Sequence, residues 1–220
     1  MKKLLTVLFT LFIVTAIYSQ RKADFGIIGG ATSYLGDINQ EQVLYNPGYM
    51  AGPIFRYNFN KRLSVRVKSV YSKVSGSDND FEHVIIGRPS NTFNVTFLNT
   101  GAQAEYNFLP YLTGDIAFKW TPYVYGGLGY SIVLSSSSTA GIPANNHFLI
   151  PFGAGLKVNL GKRLSGGVEL TFNKTFSDKV DGVIPPIGES FLFKNDWYNY
   201  VGLFITYKFF KFAADCPVYD

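Results

Sequence analysis

Residues 56–64 read Arg-Tyr-Asn-Phe-Asn-Lys-Arg-Leu-Ser, an alternating polar and apolar tetrapeptide followed by a tight turn and the start of a second strand. Side chains of an extended strand alternate between its two faces, so Tyr57 and Phe59 lie on one face and Arg56 and Asn58 on the other. The tetrapeptide pattern recurs at intervals of about 50 residues, as Glu-Tyr-Asn-Phe at 105–108, Lys-Val-Asn-Leu at 157–160 and Thr-Tyr-Lys-Phe at 206–209.

An interval of this length accommodates two strands with a turn and a loop, so four copies predict four hairpins, or eight strands. The tight turn also recurs, because Lys-Arg-Leu-Ser occupies both 61–64 and 162–165. Short turns next to aromatic strand ends are typical of membrane barrels. We therefore predict an all-β fold, an eight-stranded antiparallel transmembrane β-barrel with short periplasmic turns and long outer loops. The alternative is a soluble β-sandwich, whose outer face would carry the charged residues.

The beginning of the chain is typical of a secretory signal peptide, since Lys2 and Lys3 precede an apolar run from Leu4 to Ile17. This run is too short to span a bilayer as a helix. We expect residues 1–19 to be a signal peptide, 20–210 an outer-membrane β-barrel and 211–220 a periplasmic C-terminal tail.

The composition agrees with alternating barrel strands. Aromatic residues make up 17% of the chain and charged residues 16%, and the mean hydropathy is only +0.09. Helical membrane proteins are far more apolar than this, whereas strands that alternate between lipid and lumen average to a value near zero. The net charge of +5 comes from scattered basic residues, so we expect no binding of nucleic acid.

The alternation places eight strands and leaves polar segments between them. Loop signals in the polar stretches, such as Ser-Gly-Ser-Asp-Asn-Asp at 75–80 and Ser-Ser-Ser-Ser-Thr-Ala-Gly at 135–141, mark the long outer loops. A turn is expected around 109–119. The predicted strands cover 23–32, 48–59, 62–73, 95–108, 121–134, 147–160, 163–175 and 196–209.

The inner face of these strands carries most of their charge, while the outer face carries almost none, which favours the barrel over the sandwich. A buried unpaired charge costs several kcal/mol, so these side chains must pair with one another. Because side chains fill the lumen of an eight-stranded barrel, we expect a structural network and not a diffusion pore or a transport site. The predicted lumen network consists of Asp24, Arg56, Arg66, Lys68, Glu105, Lys157, Glu169 and Lys208.

Residues that carry chemistry are few. His83 and His147 fall at or near the outer loops, where we interpret them as surface histidines without the neighbours of a metal site or a catalytic triad. Small barrels can be enzymes that act on lipids or peptides, but the serines near His147 lie in a loop without a fixed spacing. We therefore expect no enzyme activity, no catalytic residue, no cofactor and no metal.

Two further features concern the expected periplasmic side. Cys216 is the single cysteine, so in an oxidising compartment it is free, bound to a metal or paired with another chain, and the last is the pairing that an odd cysteine in an exported protein suggests. The alternative is an inert buried thiol. The basic turn residues are candidate periplasmic contacts, and the alternatives are that they belong to a solvated turn or that they are held near lipid head groups. They are Lys61, Arg62, Lys162 and Arg163.

Two stretches resemble a known family. Residues 25–37, Phe-Gly-Ile-Ile-Gly-Gly-Ala-Thr-Ser-Tyr-Leu-Gly-Asp, and the terminal Cys-Pro-Val-Tyr at 216–219 look like the PorG family of the type IX secretion system of Bacteroidota, as does the order of the strands. The resemblance implies a non-enzymatic protein in outer-membrane lipid. It would anchor a periplasmic ring built by a PorK-like lipoprotein and a PorN-like partner, with Cys216 as the candidate for a disulfide to the lipoprotein.

The alternative hypothesis is a barrel that acts alone. Its outer loops would bind a ligand or a surface, or its rim would modify lipid as an enzyme.

Overall fold

A computed structural model describes residues 23–35, 46–77, 92–115, 117–139, 144–176 and 197–209. Each strand in these ranges pairs antiparallel with the next, and the first also pairs with the last, which closes the sheet into a barrel. The predicted eight-stranded antiparallel β-barrel is therefore confirmed. Its strands are β1 (Ala23–Leu35), β2 (Gly48–Asn58), β3 (Leu63–Ser77), β4 (Thr92–Asn107), β5 (Trp120–Ser138), β6 (His147–Asn159), β7 (Leu164–Thr175) and β8 (Trp197–Lys208).

The barrel has two different ends. The turn end carries the connections β2–β3, β4–β5 and β6–β7, and the loop end carries the other four. Most residues of the loop-end connections lie outside the described ranges, as do the first 22 residues and those after 209, although 139 and 144–146 of the β5–β6 connection are described. The predicted signal peptide, the C-terminal tail and most of the predicted long outer loops fall outside the described ranges. No helix in the described part of the chain is long and apolar enough to cross a membrane.

Four strands, β1, β3, β4 and β5, extend farther toward the loop end than predicted, and Leu35 of β1 pairs with Trp197 of β8. Ser77 pairs with Thr92 across β3 and β4, and Phe93 pairs with Ser138 across β4 and β5. The prediction that residues 75–77 and 135–138 begin loops was therefore wrong. Serine is a common turn residue, but these serines pair with neighbouring strands, and the hydroxyls of Ser77 and Thr92 lie 3.2 Å apart. Pairing in the sheet overrides the local preference.

The outer face of the barrel is apolar. Leu128 and Leu203, for example, leave 71% and 69% of their surface exposed although both side chains are apolar. Charged residues occur on the outward positions of the described strands only near the loop end, at Lys73 and Lys174. Lys174 is itself buried, with its Nζ 4.6 Å from the centroid of the Trp197 ring. An apolar exterior, with almost all the charged side chains of the strands turned inward, is the pattern of a transmembrane barrel.

The interior consists of two layers. The layer toward the loop end is mainly aromatic and aliphatic, and Phe97 stacks on Tyr198 with a centroid distance of 5.6 Å. The layer toward the turn end is charged, and Arg56, Arg66 and Glu105 are each 1% exposed or less. Alternation along every strand thus turns these side chains inward, and the charged ones lie in the half of the core nearest the turn end.

Candidate functional site

The charged layer centres on Glu105, whose carboxylate is fully buried. Arg56 Nε lies 2.8 Å from it, Arg66 Nη1 3.1 Å and Lys157 Nζ 2.6 Å. Arg56 on β2 and Lys157 on β6 reach across the lumen, because neither strand pairs with β4. Charge-assisted hydrogen bonds of this kind are stronger than neutral ones, so Glu105 joins three sides of the barrel wall.

Glu169 on β7 is the second buried anion. Arg66 Nη1 lies 2.5 Å from its carboxylate and Lys68 Nζ 3.0 Å, and the Tyr123 hydroxyl donates to it at 2.8 Å. Arg66 contacts both Glu105 and Glu169, so the two carboxylates belong to one network of ion pairs.

Asp24 and Lys208 lie at the edge of the network nearest the turn end. Arg56 Nη1 is 4.0 Å from Asp24 Oδ2, and the Asn58 amide donates to the same oxygen at 3.0 Å. Lys208 Nζ donates to the carbonyl of Thr113 at 2.9 Å. All eight residues proposed for the lumen are therefore buried inside the barrel.

Two aromatic rings complete this network, those of Tyr123 and Tyr125, for which no role was predicted from the sequence. The Arg66 guanidinium carbon lies 4.0 Å from the centroid of Tyr125, and Lys157 Nζ lies 4.2 Å from that of Tyr123. Cations at such distances over a desolvated ring are stabilised by about 2 kcal/mol. The sequence feature that could have indicated this role is the inward position of both tyrosines on β5, where they lie opposite Gly155 and Gly153 of β6.

The β4–β5 connection, residues 108–119, closes the turn end, and we call it the mouth segment. It is described except for residue 116. Tyr111 and Thr113 are 3% and 2% exposed, because their side chains enter the barrel mouth. The prediction of short turns at this end is correct for 59–62 and 160–163, but the longer mouth segment folds back over the lumen.

Hydrogen bonds hold the mouth segment on opposite sides of the barrel. The Tyr111 hydroxyl bonds the Ser165 hydroxyl on β7, and the Thr113 hydroxyl donates to Asp24 on β1 at 3.1 Å. The Tyr111 amide donates to the Lys61 carbonyl at 2.8 Å. Burial raises the pKa of Tyr111 to about 12, while the bond with Ser165 acts in the opposite direction. The segment therefore spans the mouth from one wall to the other.

Asn159, at the end of β6, fixes the middle of the mouth segment. Its Nδ2 donates to the carbonyls of Leu112 and Asp115, both at 3.1 Å, and its Oδ1 accepts from the Gly114 amide at 3.2 Å. Gly114 has a φ of +87° and lies against the Lys162 carbonyl, where a Cβ atom would clash. One side chain thus satisfies both donors and acceptors of an otherwise irregular segment.

Replacing Asn159 should loosen the mouth segment without opening the barrel. We expect Asn159→Ala to lower the free energy of unfolding by about 1–2 kcal/mol, because a few partly buried hydrogen bonds are lost. Amide hydrogen exchange in 109–115 should accelerate while the strands keep their protection. Asn146→Ala is the matched control, since Asn146 accepts from the Val133 amide at the loop end. Equal exchange in both variants would contradict a clamp by Asn159.

The inward side chains of both layers are almost fully buried, as the exposed fractions of Arg66, Glu105 and Phe97 show, each of them about 0%. A cavity of about 20 Å³ lies beside Lys68, Asn99 and Tyr200, which is room for about one water molecule. These packed side chains occupy the described lumen, and the mouth segment covers its turn end.

His147 differs from its predicted surface position. It is 5% exposed, its ring meets Phe97 edge-on at 5.7 Å, and its Nδ1 donates to the Asn145 carbonyl at 2.9 Å. The prediction was wrong because His147 is the first residue of β6 and its position points inward. Among the described residues, no group of three or more His, Cys, Asp and Glu side chains is placed to hold a metal ion. His83 and Cys216 lie outside these residues.

The basic turn residues all lie at the turn end, with different contacts. Lys61 Nζ is 3.1 Å from Asp115 of the mouth segment, and Arg62 Nη1 donates to the Phe108 carbonyl at 2.7 Å. Arg163 Nη1 instead donates to the Tyr207 hydroxyl at 3.1 Å. Lys162 lies beside Arg163 in the second tight turn.

Comparison with known sequences gives one match. A family model described as "Domain of unknown function (DUF6089)" covers residues 2–218. No curated protein matches the chain.

Solved structures with a similar fold are eight-stranded barrels of outer-membrane proteins. Neisserial surface protein A is 14% identical, with a TM-score of 0.51, and the match covers 85% of this chain and 97% of that one. The N-terminal barrel domain of Pseudomonas aeruginosa OprF is 14% identical, with a TM-score of 0.45 and coverage of 86% and 97%. OprG of the same organism is 12% identical, with a TM-score of 0.46 and coverage of 88% and 99%. At these identities the likeness concerns the fold alone.

Proposed function

The chain belongs to the DUF6089 family, and we propose that it is a non-enzymatic outer-membrane protein that anchors the periplasmic ring of a type IX secretion system. In this proposal the turn end faces the periplasm and the loop end faces the cell exterior. The partners are outer-membrane lipid, a PorK-like lipoprotein and a PorN-like protein.

The exterior of the barrel supports the membrane location. Outward side chains such as Ile27, Leu128 and Leu203 are more than 60% exposed, and a folded protein in water rarely leaves so continuous an apolar surface uncovered. A Lys or Arg at the bilayer midplane of such a barrel costs about 2–4 kcal/mol, in agreement with outward charges confined to one end. A closed barrel is also one of the few backbone arrangements that satisfies every hydrogen bond in lipid.

The buried charge network, covered at the turn end by the mouth segment, is the observation that carries the anchoring role. Inside the lumen, Glu105 pairs with Arg56 and Glu169 pairs with Lys68, and the mouth segment covers the turn end. A barrel of this kind acts through its surfaces, and the described turn end offers a fixed one. That surface comprises the two tight turns, with Lys162 and Arg163 in the second of them, and the outer side of the mouth segment.

The identity of the partners is supported by the resemblance to the PorG family. The tail that follows β8 leaves from the turn end, where Lys208 lies, and so would reach the same side as the ring. Cys216 in that tail is the candidate for a disulfide to the lipoprotein.

The test is a pull-down from detergent-solubilised envelope with and without reductant. We expect the tagged chain to recover the PorK-like and PorN-like proteins and to show a higher-mass band that reductant removes. Cys216→Ser should still insert, because the strand pairing closes at Lys208 without the tail, but it should lose that band and secrete less cargo.

A second variant separates the covalent tether from the wider proposal. Lys162→Gln/Arg163→Gln should weaken recovery of the ring proteins even in the presence of reductant. A persistent band in Cys216→Ser would contradict the disulfide. Folded wild-type barrel that recovers neither ring protein would contradict the anchor and favour a barrel that acts alone through its outer loops or rim.

A further inference from the structure

A groove lies on the outer wall at the turn end, beside the first tight turn. Its volume is roughly 580 Å³, and it is lined by Asn60, Lys61, Arg62, Leu63, Tyr106 and Pro110. Leu63 and Tyr106 pair across β3 and β4 and leave 43% and 44% of their surfaces exposed on the outward face. The groove therefore opens toward the surroundings of the barrel and not toward its lumen.

Neighbouring aromatic side chains fix the depth of this groove in a bilayer. Phe59, Phe108, Trp120 and Phe209 are each about half exposed, at 50%, 49%, 52% and 55%, and all lie at the turn-end limits of their strands. Such a belt marks the boundary between acyl chains and head groups in membrane barrels. The groove thus has apolar walls on its lipid side and basic residues on its water side, at the level of the head groups.

The basic residues of the groove are held in place. Asn60 Oδ1 accepts from the amides of Arg62 and Leu63, at 2.8 and 2.7 Å, which fixes the turn. Arg62 Nη1 donates to the Phe108 carbonyl at 2.7 Å, so one corner of the guanidinium is anchored. The guanidinium carries five N–H donors in a planar fork that suits the oxygens of a phosphate. Lys61, 55% exposed beside Asp115, adds a second cation at the rim.

The second tight turn has the same Lys-Arg-Leu-Ser sequence but different surroundings. There Arg163 Nη1 donates to the Tyr207 hydroxyl, and the Lys162 carbonyl lies against Gly114. The first turn gains its second wall from the mouth segment, because Phe108 and Pro110 run beside it. The second turn also has Gly161 where the first has Asn60, so the two turns carry the same basic pair in different surroundings, and the second serves as a control for charge.

We propose that the groove at residues 60–63, 106 and 110 binds the phosphate group of an anionic phospholipid, with Tyr106 and Leu63 against its glycerol and acyl portion. Arg62 holds the phosphate and Lys61 contributes charge. This inference requires only that the barrel stands in a bilayer, and it is independent of the proposed secretion ring.

The test measures how strongly the folded full-length chain binds phosphatidylglycerol compared with phosphatidylcholine, in nanodiscs or by native mass spectrometry. Lys61→Gln/Arg62→Gln should lower the preference for phosphatidylglycerol by about fivefold or more, the change expected when basic residues leave an anionic surface. Lys162→Gln/Arg163→Gln removes the same charge from the same motif and should keep the preference.

Folding is followed separately, by heat-modifiable migration of each variant in phosphatidylcholine. Comparing the two lipids within one variant separates a change in lipid preference from a general loss of stability. Equal losses in both double variants would overturn the site in favour of unspecific attraction by charge. No preference for phosphatidylglycerol in the wild-type chain would overturn it as well.

Discussion

Replacing Glu105 by alanine should lower the free energy of unfolding of the barrel by about 3–5 kcal/mol, the cost of removing one partner from a buried ion pair. Arg56, Arg66 and Lys157 would lose the carboxylate that lies 2.6–3.1 Å from them, in a region without solvent access. Arg66 would keep Glu169, whereas Lys157 would keep only neutral partners such as Asn107 among its described contacts. The measurement is a urea titration in lipid vesicles, followed by heat-modifiable migration.

Two controls make this experiment specific. Asp115→Ala removes the carboxylate that pairs with Lys61. Because the Lys61 side chain is 55% exposed and exposed pairs contribute about 1 kcal/mol or less, this variant should lose little stability. Glu105→Ala/Lys157→Met should be more stable than Glu105→Ala alone, because the double variant no longer buries that lysine without its anion. A Glu105→Ala barrel that unfolds at the wild-type urea concentration would show that water reaches the network.

Replacing Gly155 by alanine should also have a large effect, and it should act on the same network. A Cβ atom at this position would lie 2.7 Å from Cε1 of the Tyr123 ring and 2.5 Å from the Val168 carbonyl oxygen. The backbone of β7 cannot retreat without breaking the β6–β7 ladder. Tyr123 would have to move away from Glu169 and Lys157. We expect a loss of about 3 kcal/mol or failure to close the barrel, at the upper end of overpacking costs.

Gly126→Ala is the matched control, because Gly126 lies on the outer face of β5. A Cβ atom there would meet only the Cβ of Phe152, at 3.9 Å, an ordinary contact. The alanine variant should therefore fold with the yield of the wild-type chain. If Gly155→Ala and Gly126→Ala refold equally well into detergent micelles, the close packing of Tyr123 on β6 is not a constraint.

The sequence alone determined the class of the fold and the direction of most side chains. Strict alternation is a local property, so Arg56, Glu105 and Glu169 could be placed on the inner face from their positions within each strand. The repeated tetrapeptide and the repeated turn are also visible in the local sequence, and they predicted the number of strands. Strand ends were less accurate, since the serines at 75–77 and 135–138 pair in the sheet although serine is common in loops.

Only the tertiary structure decided which groups meet inside and around the barrel. Glu105 and Lys157 are 52 residues apart in the chain, and their contact depends on strand register and barrel curvature, which the alternation does not encode. The same holds for the mouth segment, whose partner Asn159 lies on a strand far along the chain, and for the inward position of His147. It also holds for the two Lys-Arg-Leu-Ser turns, because identical local sequences acquire different neighbours when the chain closes around them.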